Sequence, residues 1–283
     1  MIDPTGSPAA DPDRRSTDRR TGDRRAMDRL TLVIPCYNEA DRLDAAAFTA
    51  ALAAYPWLDL CFVNDGSTDR TAERLTDLAI AAPERVHVLT LPQNLGKAEA
   101  VRRGLQWGAA HSAYCGFWDA DLSAPLTELV ALWAVFDREP AVGWVFGIRL
   151  RTLGRTIHRR ALRHYLGRVF ATVTSLVLAI DSYDTQCGAK LFRVTPLLEA
   201  VLAEPFQSRW IFDVELLLRA DALLRASGGP LLDTMVSEQP LTIWRHQAGS
   251  KVRPLDFLRA MRELWIIRRA RGHWSCVDHM RAR

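Results

Sequence analysis

The chain has 283 residues, 48% hydrophobic and 25% charged, an ordinary globular composition with ample apolar content for a core. Its five cysteines (Cys36, Cys61, Cys115, Cys187, Cys276) are odd in number, widely spaced and free of any CxxC or Cys/His pattern. They argue against a disulfide framework or zinc site and for reduced core thiols in a cytosolic catalytic domain. The net charge of +4 conceals an asymmetry: Leu30 to Ile148 carries fifteen acids against eight Lys/Arg, whereas Arg149 to Ile180 carries seven arginines and no acid, so basic surface is expected in the second half.

Residues 1–29 repeat Asp-Arg-Arg every five residues with almost no apolar content, which predicts a disordered tail without a signal peptide. A folded domain is expected over 30–271 and a short tail over 272–283. Leu30 to Pro35 reads as a strand, Ala40 to Ala54 as a helix, Leu58 to Val63 as a second strand and Arg70 to Ala82 as a second helix. Val86 to Leu91 is a third strand, Gly96 to Gly108 a third helix capped through Asn94, and Ala113 to Trp118 a fourth strand. Continuous apolar strands alternating with amphipathic helices predict an α/β fold with a mostly parallel, Rossmann-like sheet flanked by helices. Ligands of such sheets bind beyond the carboxyl ends of the strands. Pro35-Cys-Tyr-Asn-Glu39, Asn64-Asp-Gly-Ser67 and Asp119-Ala-Asp121 each follow a strand, so they are expected to converge on one crevice. Neither GxGxxG nor GxxxxGK[ST] is present, which excludes a dinucleotide fold of the usual kind and a P-loop NTPase.

Asp119 and Asp121 suit a hard divalent cation, Mg²⁺ or Mn²⁺, which takes carboxylate and phosphate oxygens. Turn formation, or capping of the helix near Pro125 by Asp121 or Ser123, is the structural alternative. Lys97 follows Gly96 at a helix start, where it either meets an anion or is solvated. Arg102 and Arg103 read as surface residues.

Four motifs, Val33-Ile-Pro-Cys-Tyr-Asn-Glu39, Val63-Asn-Asp-Gly-Ser-Thr-Asp69, Asn94-Leu-Gly-Lys97 through Gly104, and Asp119-Ala-Asp-Leu-Ser123, together resemble the family 2 glycosyltransferases of GT-A fold. Asp184-Thr-Gln-Cys-Gly-Ala-Lys-Leu-Phe192, Arg209-Trp-Ile-Phe-Asp213 and Gly249-Ser-Lys251 look most like their dolichyl- and polyprenyl-phosphate branch, the glucosyl members in particular. The resemblance implies that Pro35, Tyr37, Glu39 and Asp65 hold the nucleotide of a sugar donor. It places Asp119 and Asp121 by the donor diphosphate, with Asp121 as metal ligand, Ser123 as an open third ligand, and Asp184 and Gln186 beside the donor sugar. Lys251, in the loop Arg245 to Arg253, looks like the lid contact to donor phosphates, while His246 reads as structural. Asp213 stands as sugar contact or general base, with N-capping as its alternative in a helix Trp210 to Leu224.

The arginine-rich segment comprises Arg149, Arg151, Arg155, Arg159, Arg160, Arg163 and Arg168, followed by the apolar run Val169 to Ile180. Twelve residues make about 18 Å of helix against roughly 30 Å of hydrocarbon, so an amphipathic helix on a membrane surface is expected, with a core or dimer helix as its alternative. By the resemblance, Arg149 with Arg160 or Arg163 binds the acceptor phosphate, which is already anionic and needs no base. A strand pair is expected near Leu231 to Trp244. A final helix, Leu255 to Ala270, is expected to put Phe257, Met261, Leu264 and Trp265 on one face and several arginines elsewhere, a pattern that fits peripheral attachment to a membrane.

The expected activity is inverting transfer of one sugar, glucose before mannose, from UDP-glucose or GDP-mannose to a polyprenyl or dolichyl phosphate. It is expected on the cytoplasmic face of the membrane as a peripheral protein, without nucleic acid and with a homodimer left open. A transferase acting on a hydroxyl of a glycan or small acceptor, and a non-catalytic nucleotide-binding protein, are the alternatives.

Overall fold

The computed structural model of the chain describes residues 29–150, 156–158, 182–209, 211–245 and 254–274. Expectations for the tail to residue 28, the arginines from 151 to 168 (Arg160 and Arg163 among them), the run 169–180, the loop 246–253 with His246 and Lys251, and Trp210 lie outside those residues.

The apolar, β-branched stretches form the strands β1 (Leu30–Cys36), β2 (Leu58–Asn64), β3 (Val86–Thr90), β4 (Tyr114–Trp118) and β5 (Trp144–Ile148). Between them run α1 (Ala45–Ala54), α2 (Thr71–Ala81), α3 (Lys97–His111) and the short helices α4 (Leu129–Trp133) and α5 (Val135–Arg138). The second half supplies β6 (Thr156–His158), β7 (Ala189–Arg193), α6 (Pro196–Ala203), α7 (Phe212–Ser227), α8 (Leu232–Met235), β8 (Val236–Pro240), β9 (Ile243–Arg245) and α9 (Pro254–Trp274).

Among the described residues the main sheet runs β3-β2-β1-β4-β7-β5-β8. β7 is antiparallel to both its neighbours, β4 and β5, and the other pairs are parallel. Successive side chains of β1 feed opposite faces: Leu32 and Ile34 join the layer containing Phe48, Phe62 and Trp133, while Val33 packs with Val63, Leu105, Phe117 and Leu216. Strand order reverses at β1, which has β2 on one side and β4 on the other. The β1–β4 pairing stops at Val33 opposite Phe117, whereas β1–β2 continues to Cys36 opposite Asn64. The sheet therefore parts beyond Val33, and Pro35, with no N–H to donate, sits where the β4 partner has ended.

Several expectations are corrected. Arg29 belongs to the folded part, its guanidinium paired with Asp59. Helix α1 starts at Ala45, because the Asp44 side chain accepts the Ala47 N–H (3.0 Å), and residues before it form a turn in which Arg42 and Leu43 donate to the Glu39 carbonyl. Asn94 does not cap α3; Gly96 occupies that position without a side-chain cap. The expected strand pair near Leu231 to Trp244 is two strands serving different sheets, β8 beside β5 and β9 beside β6. In α9, Leu264 is buried with Ala260 and Ile267 against Ile211, Val214 and Leu218, so that face serves the protein, whereas Trp265 is 54% exposed. The side chains of Phe257 and Met261 lie outside the described set.

Candidate active site

The loops after β1 and β2 are stitched together. Asn38, at a left-handed φ of 50°, accepts the Thr68 N–H through its side chain (2.8 Å) and donates its own N–H to the Ser67 hydroxyl (3.1 Å). The Glu39 N–H donates to the Thr71 hydroxyl (2.8 Å) and the Ala40 N–H to Asp69 (3.1 Å). Gly66 supports this with φ +64° and with backbone of Gln93 so close that a Cβ would collide.

Asp65, expected on the nucleotide, is buried with both carboxylate oxygens engaged by backbone, the N–H groups of Leu95 (2.7 Å) and Gly96 (2.9 Å). It therefore sets the entry to α3, the task expected of Asn94. Burial lifts its pKa above the ordinary carboxylate value in spite of those two donors. Pro35 and Glu39 line the β1 exit, and Tyr37 is the exposed member of that loop.

At the β4 exit, Asp119 donates its N–H to the Gly188 carbonyl (3.0 Å), and its carboxylate meets the Lys97 ammonium at 2.5 Å. Lys97 is thus neither a free anion site nor simply solvated. Partial desolvation works against its charge, although 43% of the side chain is exposed, and Asp119, Asp213 and Asp121 together raise its pKa above the ordinary lysine value. Asp121 closes a tight turn by accepting the Ser123 N–H (2.9 Å), with Leu122 held at a φ of 48°. Its other oxygen lies 3.3 Å from the Arg42 guanidinium, which also reaches Glu39 at 3.4 Å. Neither Asp121 nor Ser123 caps the next element, a 3₁₀ turn (Leu126–Glu128) that follows Pro125 with no side-chain cap. Ser123 is buried, and its carbonyl accepts the Arg245 N–H.

β7 brings the second set. Gly188 lies so close to Asp119 that a Cβ there would overlap the carboxylate. Asp184 accepts a two-pronged pair from Arg149 (2.6 and 2.7 Å) and the Arg149 backbone N–H (3.1 Å), while that guanidinium stands 5.4 Å from the Trp244 ring centre. The residues expected on acceptor phosphate and donor sugar are therefore joined to each other. Burial opposes the Arg149 charge, but Asp184 outweighs it and raises the pKa. Among the described residues the buried Gln186 side-chain nitrogen has no hydrogen-bond partner.

Beneath them, Lys190 is fully buried and donates to the Thr185 and Cys187 carbonyls and to Asp213 (2.6 Å). Asp213 is inside α7, not its cap, which corrects the capping alternative. Burial pushes its carboxyl pKa up, against the pull of Lys190 and Lys97. Glu215 points elsewhere, to the N–H groups of Gln207 and Ser208 and to Arg219, as positions two apart on a helix must. Arg102, expected at the surface, is buried on Glu99 and the Leu202 carbonyl, whereas Arg103 is half exposed. Burial pushes the Cys61 and Cys187 thiols up to about 12, which keeps them unreactive.

Sequence reasoning missed Arg42, Gly188 and Lys190. Arg42 carried a signal, its spacing of three from Glu39, but the expected helix from Ala40 hid it. The described residues contain no group of three or more His, Cys, Asp or Glu able to hold a metal by themselves. Asp119 and Asp121, with side chains 37% and 27% exposed, leave two carboxylates at the β4 exit, a donor number compatible with Mg²⁺ or Mn²⁺ where substrate phosphates complete the shell.

A family profile described as glycosyl transferase family 2 matches residues 31–199. The dolichyl-phosphate beta-glucosyltransferase of Saccharomyces cerevisiae is 28% identical over 85% of this chain and 74% of its own length. Its namesake from Drosophila melanogaster is 31% identical over 84% and 74%. Polyprenol monophosphomannose synthase of Mycolicibacterium smegmatis is 27% identical over 86% and 91%. Among solved structures, glucosyl-3-phosphoglycerate synthase from Mycobacterium tuberculosis, crystallised with Mn²⁺, UDP and glucosyl-3-phosphoglycerate, shares the fold at a TM-score of 0.60 and 20% identity, over 87% of this chain and 81% of that one.

Proposed function

The chain belongs to glycosyl transferase family 2, and from that premise we propose that it transfers one hexose, glucose before mannose, from a nucleotide-sugar to a polyprenyl or dolichyl phosphate with inversion. The observation that carries the acceptor class is likeness over more than four-fifths of the chain to relatives named for those lipid phosphates. UDP-glucose is the favoured donor and GDP-mannose the next.

The β1 loop with Pro35, Tyr37 and Glu39 receives the nucleotide, and Asp119 and Asp121 face the diphosphate. Asp121, with Asp119, would hold a Mg²⁺ or Mn²⁺ ion, whose chemistry is to stabilise negative charge on the departing diphosphate. Gln186 offers its unpartnered amide N–H to a sugar hydroxyl. Arg149 meets the acceptor phosphate from its place on Asp184, Arg160 or Arg163 is assigned to the same phosphate, and Lys251 to the donor phosphates. A phosphate monoester attacks as an anion and requires no base. That suits Asp213, whose carboxylate is tied to Lys190 beneath the cleft and is poorly placed to serve a hydroxyl acceptor.

No described helix is long and apolar enough to cross a membrane, and we assign the protein a peripheral place on the cytoplasmic membrane face. The test is incubation with UDP-glucose or GDP-mannose, a short polyprenyl phosphate and Mn²⁺ or Mg²⁺. A radiolabelled product extractable into organic solvent is expected; label found only in water-soluble acceptors would overturn the lipid assignment.

A further inference from the structure

Each of the two cleft carboxylates already holds a cation supplied by the chain. Lys97 sits on Asp119 at 2.5 Å, and Arg42 lies between Asp121 (3.3 Å) and Glu39 (3.4 Å). The two cations differ in how firmly they are held. Lys97 is at hydrogen-bond distance and is reinforced by Asp213 and Asp121. Arg42 is spread over two acids, at 3.3 Å and 3.4 Å, near the outer limit of hydrogen-bond distance. It stands on the turn between β1 and α1, between the loop that receives the nucleotide and the carboxylate that faces the diphosphate.

We propose that Arg42 is a positioning residue of donor binding: it neutralises Asp121 while the donor is absent and passes to the donor diphosphate when the carboxylate is taken by a divalent cation. The proposal rests on the glycosyl-transfer reading of this cleft. A guanidinium cannot relieve the competition by losing its proton, so it has to move. With no diphosphate present, that move strands the charge away from its two acids, and divalent-cation binding is weak. With diphosphate present, Arg42 exchanges one set of anionic oxygens for another, so binding of nucleotide and cation is positively coupled, each strengthening the other by the same factor.

The experiment measures Mn²⁺ binding by the electron paramagnetic resonance of free Mn²⁺, with and without saturating UDP, in the full chain and in Arg42→Ala and Arg42→Lys. A partly exposed ion pair of this kind limits the effect to about threefold to fivefold. Arg42→Ala is expected to bind Mn²⁺ alone about threefold to fivefold more tightly than the native chain, and to gain less from UDP. Arg42→Lys keeps a mobile cation and is expected to stay near native in both values. Circular dichroism on the same samples verifies folding, and Arg42→Gln, which removes the charge but keeps a long polar side chain, gives the comparison if the alanine variant is unstable. Equal Mn²⁺ affinity in native and Arg42→Ala proteins, with UDP coupling unchanged, would overturn the role of Arg42 and leave the proposed function standing. Absence of Mn²⁺ binding even with UDP would overturn the role of Arg42 together with the metal assignment to Asp121, while transfer to the lipid phosphate is decided by its own assay.

Discussion

Asp121 has two tasks that a substitution separates. Its Oδ1 holds the Ser123 N–H and so supports Leu122 at positive φ, a conformation disfavoured for a side chain of that size. Its Oδ2 faces the cleft, where Arg42 meets it. Asp121→Asn keeps an oxygen for the turn and removes the negative charge, so it is expected to lower transfer by at least about 100-fold, the scale of a lost charge-stabilising contact. Its thermal midpoint should stay within a few degrees of native; retained turnover, measured with the lipid-phosphate assay, would contradict the assignment. Gly188→Ala probes the same centre from the residue that precedes β7. A methyl group would collide with the Asp119 carboxylate, so loss of transfer and of UDP affinity by calorimetry is expected, with a smaller loss of stability. The carboxylates themselves were legible in the sequence, because an apolar strand running into Asp-Ala-Asp announces its own exit into a cleft. Gly188 and Lys190 were not, since nothing local tells that β7 inserts antiparallel between β4 and β5 and lays its first residues against Asp119.

The elements that carry the site were readable where the signal was local and misread where it was not. β1 to β4 and the helices between them fall where their apolar patterns put them, to within a few residues at the ends. The start of α1 was misplaced because Ala40 to Ala54 is rich in helix formers, although Asp44 was available as the cap. β8 and β9 looked like a hairpin because they are adjacent in sequence, while their partners β5 and β6 lie far upstream. α3 shows how an element's stability follows from such long-range contacts. Glu99 in its first turn receives Arg102 and Arg103, and Arg102 ties on to the Leu202 and Ala203 carbonyls at the end of α6. Burial acts against the Glu99 carboxylate, but the two guanidinium groups prevail and lower its pKa. A carboxylate with a depressed folded-state pKa gives stability that is present above its unfolded value and is lost as pH falls through the folded one. Glu99→Gln should therefore cost about 1–2 kcal/mol near pH 7. The gap to native should narrow as the solution is acidified below the ordinary glutamate range, a trend that urea titrations at several pH values would reveal.

At the scale of the whole molecule, the acidic first half builds the crevice beyond β1, β2 and β4, and the basic second half has to account for its surplus charge. α9 shows how that surplus is arranged. Its inner face, Ala260, Leu264 and Ile267, is buried on α7, and the helix is fastened by Glu263 to the Ser208 hydroxyl and by Trp274 beside the Arg219 guanidinium (5.4 Å). Its outer positions Arg262, Trp265, Arg268 and Arg269 follow helical spacing and are exposed, with the Arg269 guanidinium 3.5 Å from the Trp265 ring centre. Arginines around a tryptophan suit the headgroup layer of an anionic bilayer, where each basic side chain near the surface contributes about 1 kcal/mol. A peripheral enzyme with a lipid-phosphate acceptor gains from such a face because it confines the protein to the surface that holds the acceptor. The native chain is expected to sediment with vesicles containing phosphatidylglycerol at low salt and to be released as salt screens the arginines. Replacing Arg262, Arg268 and Arg269 together by alanine should weaken that partition at least about tenfold. Transfer to a short, detergent-dispersed polyprenyl phosphate should change little, because these residues lie on the face of α9 turned away from α7. Native protein that stays in the supernatant at low salt, or a triple variant that binds as the native chain does, would show that the basic face is merely solvated.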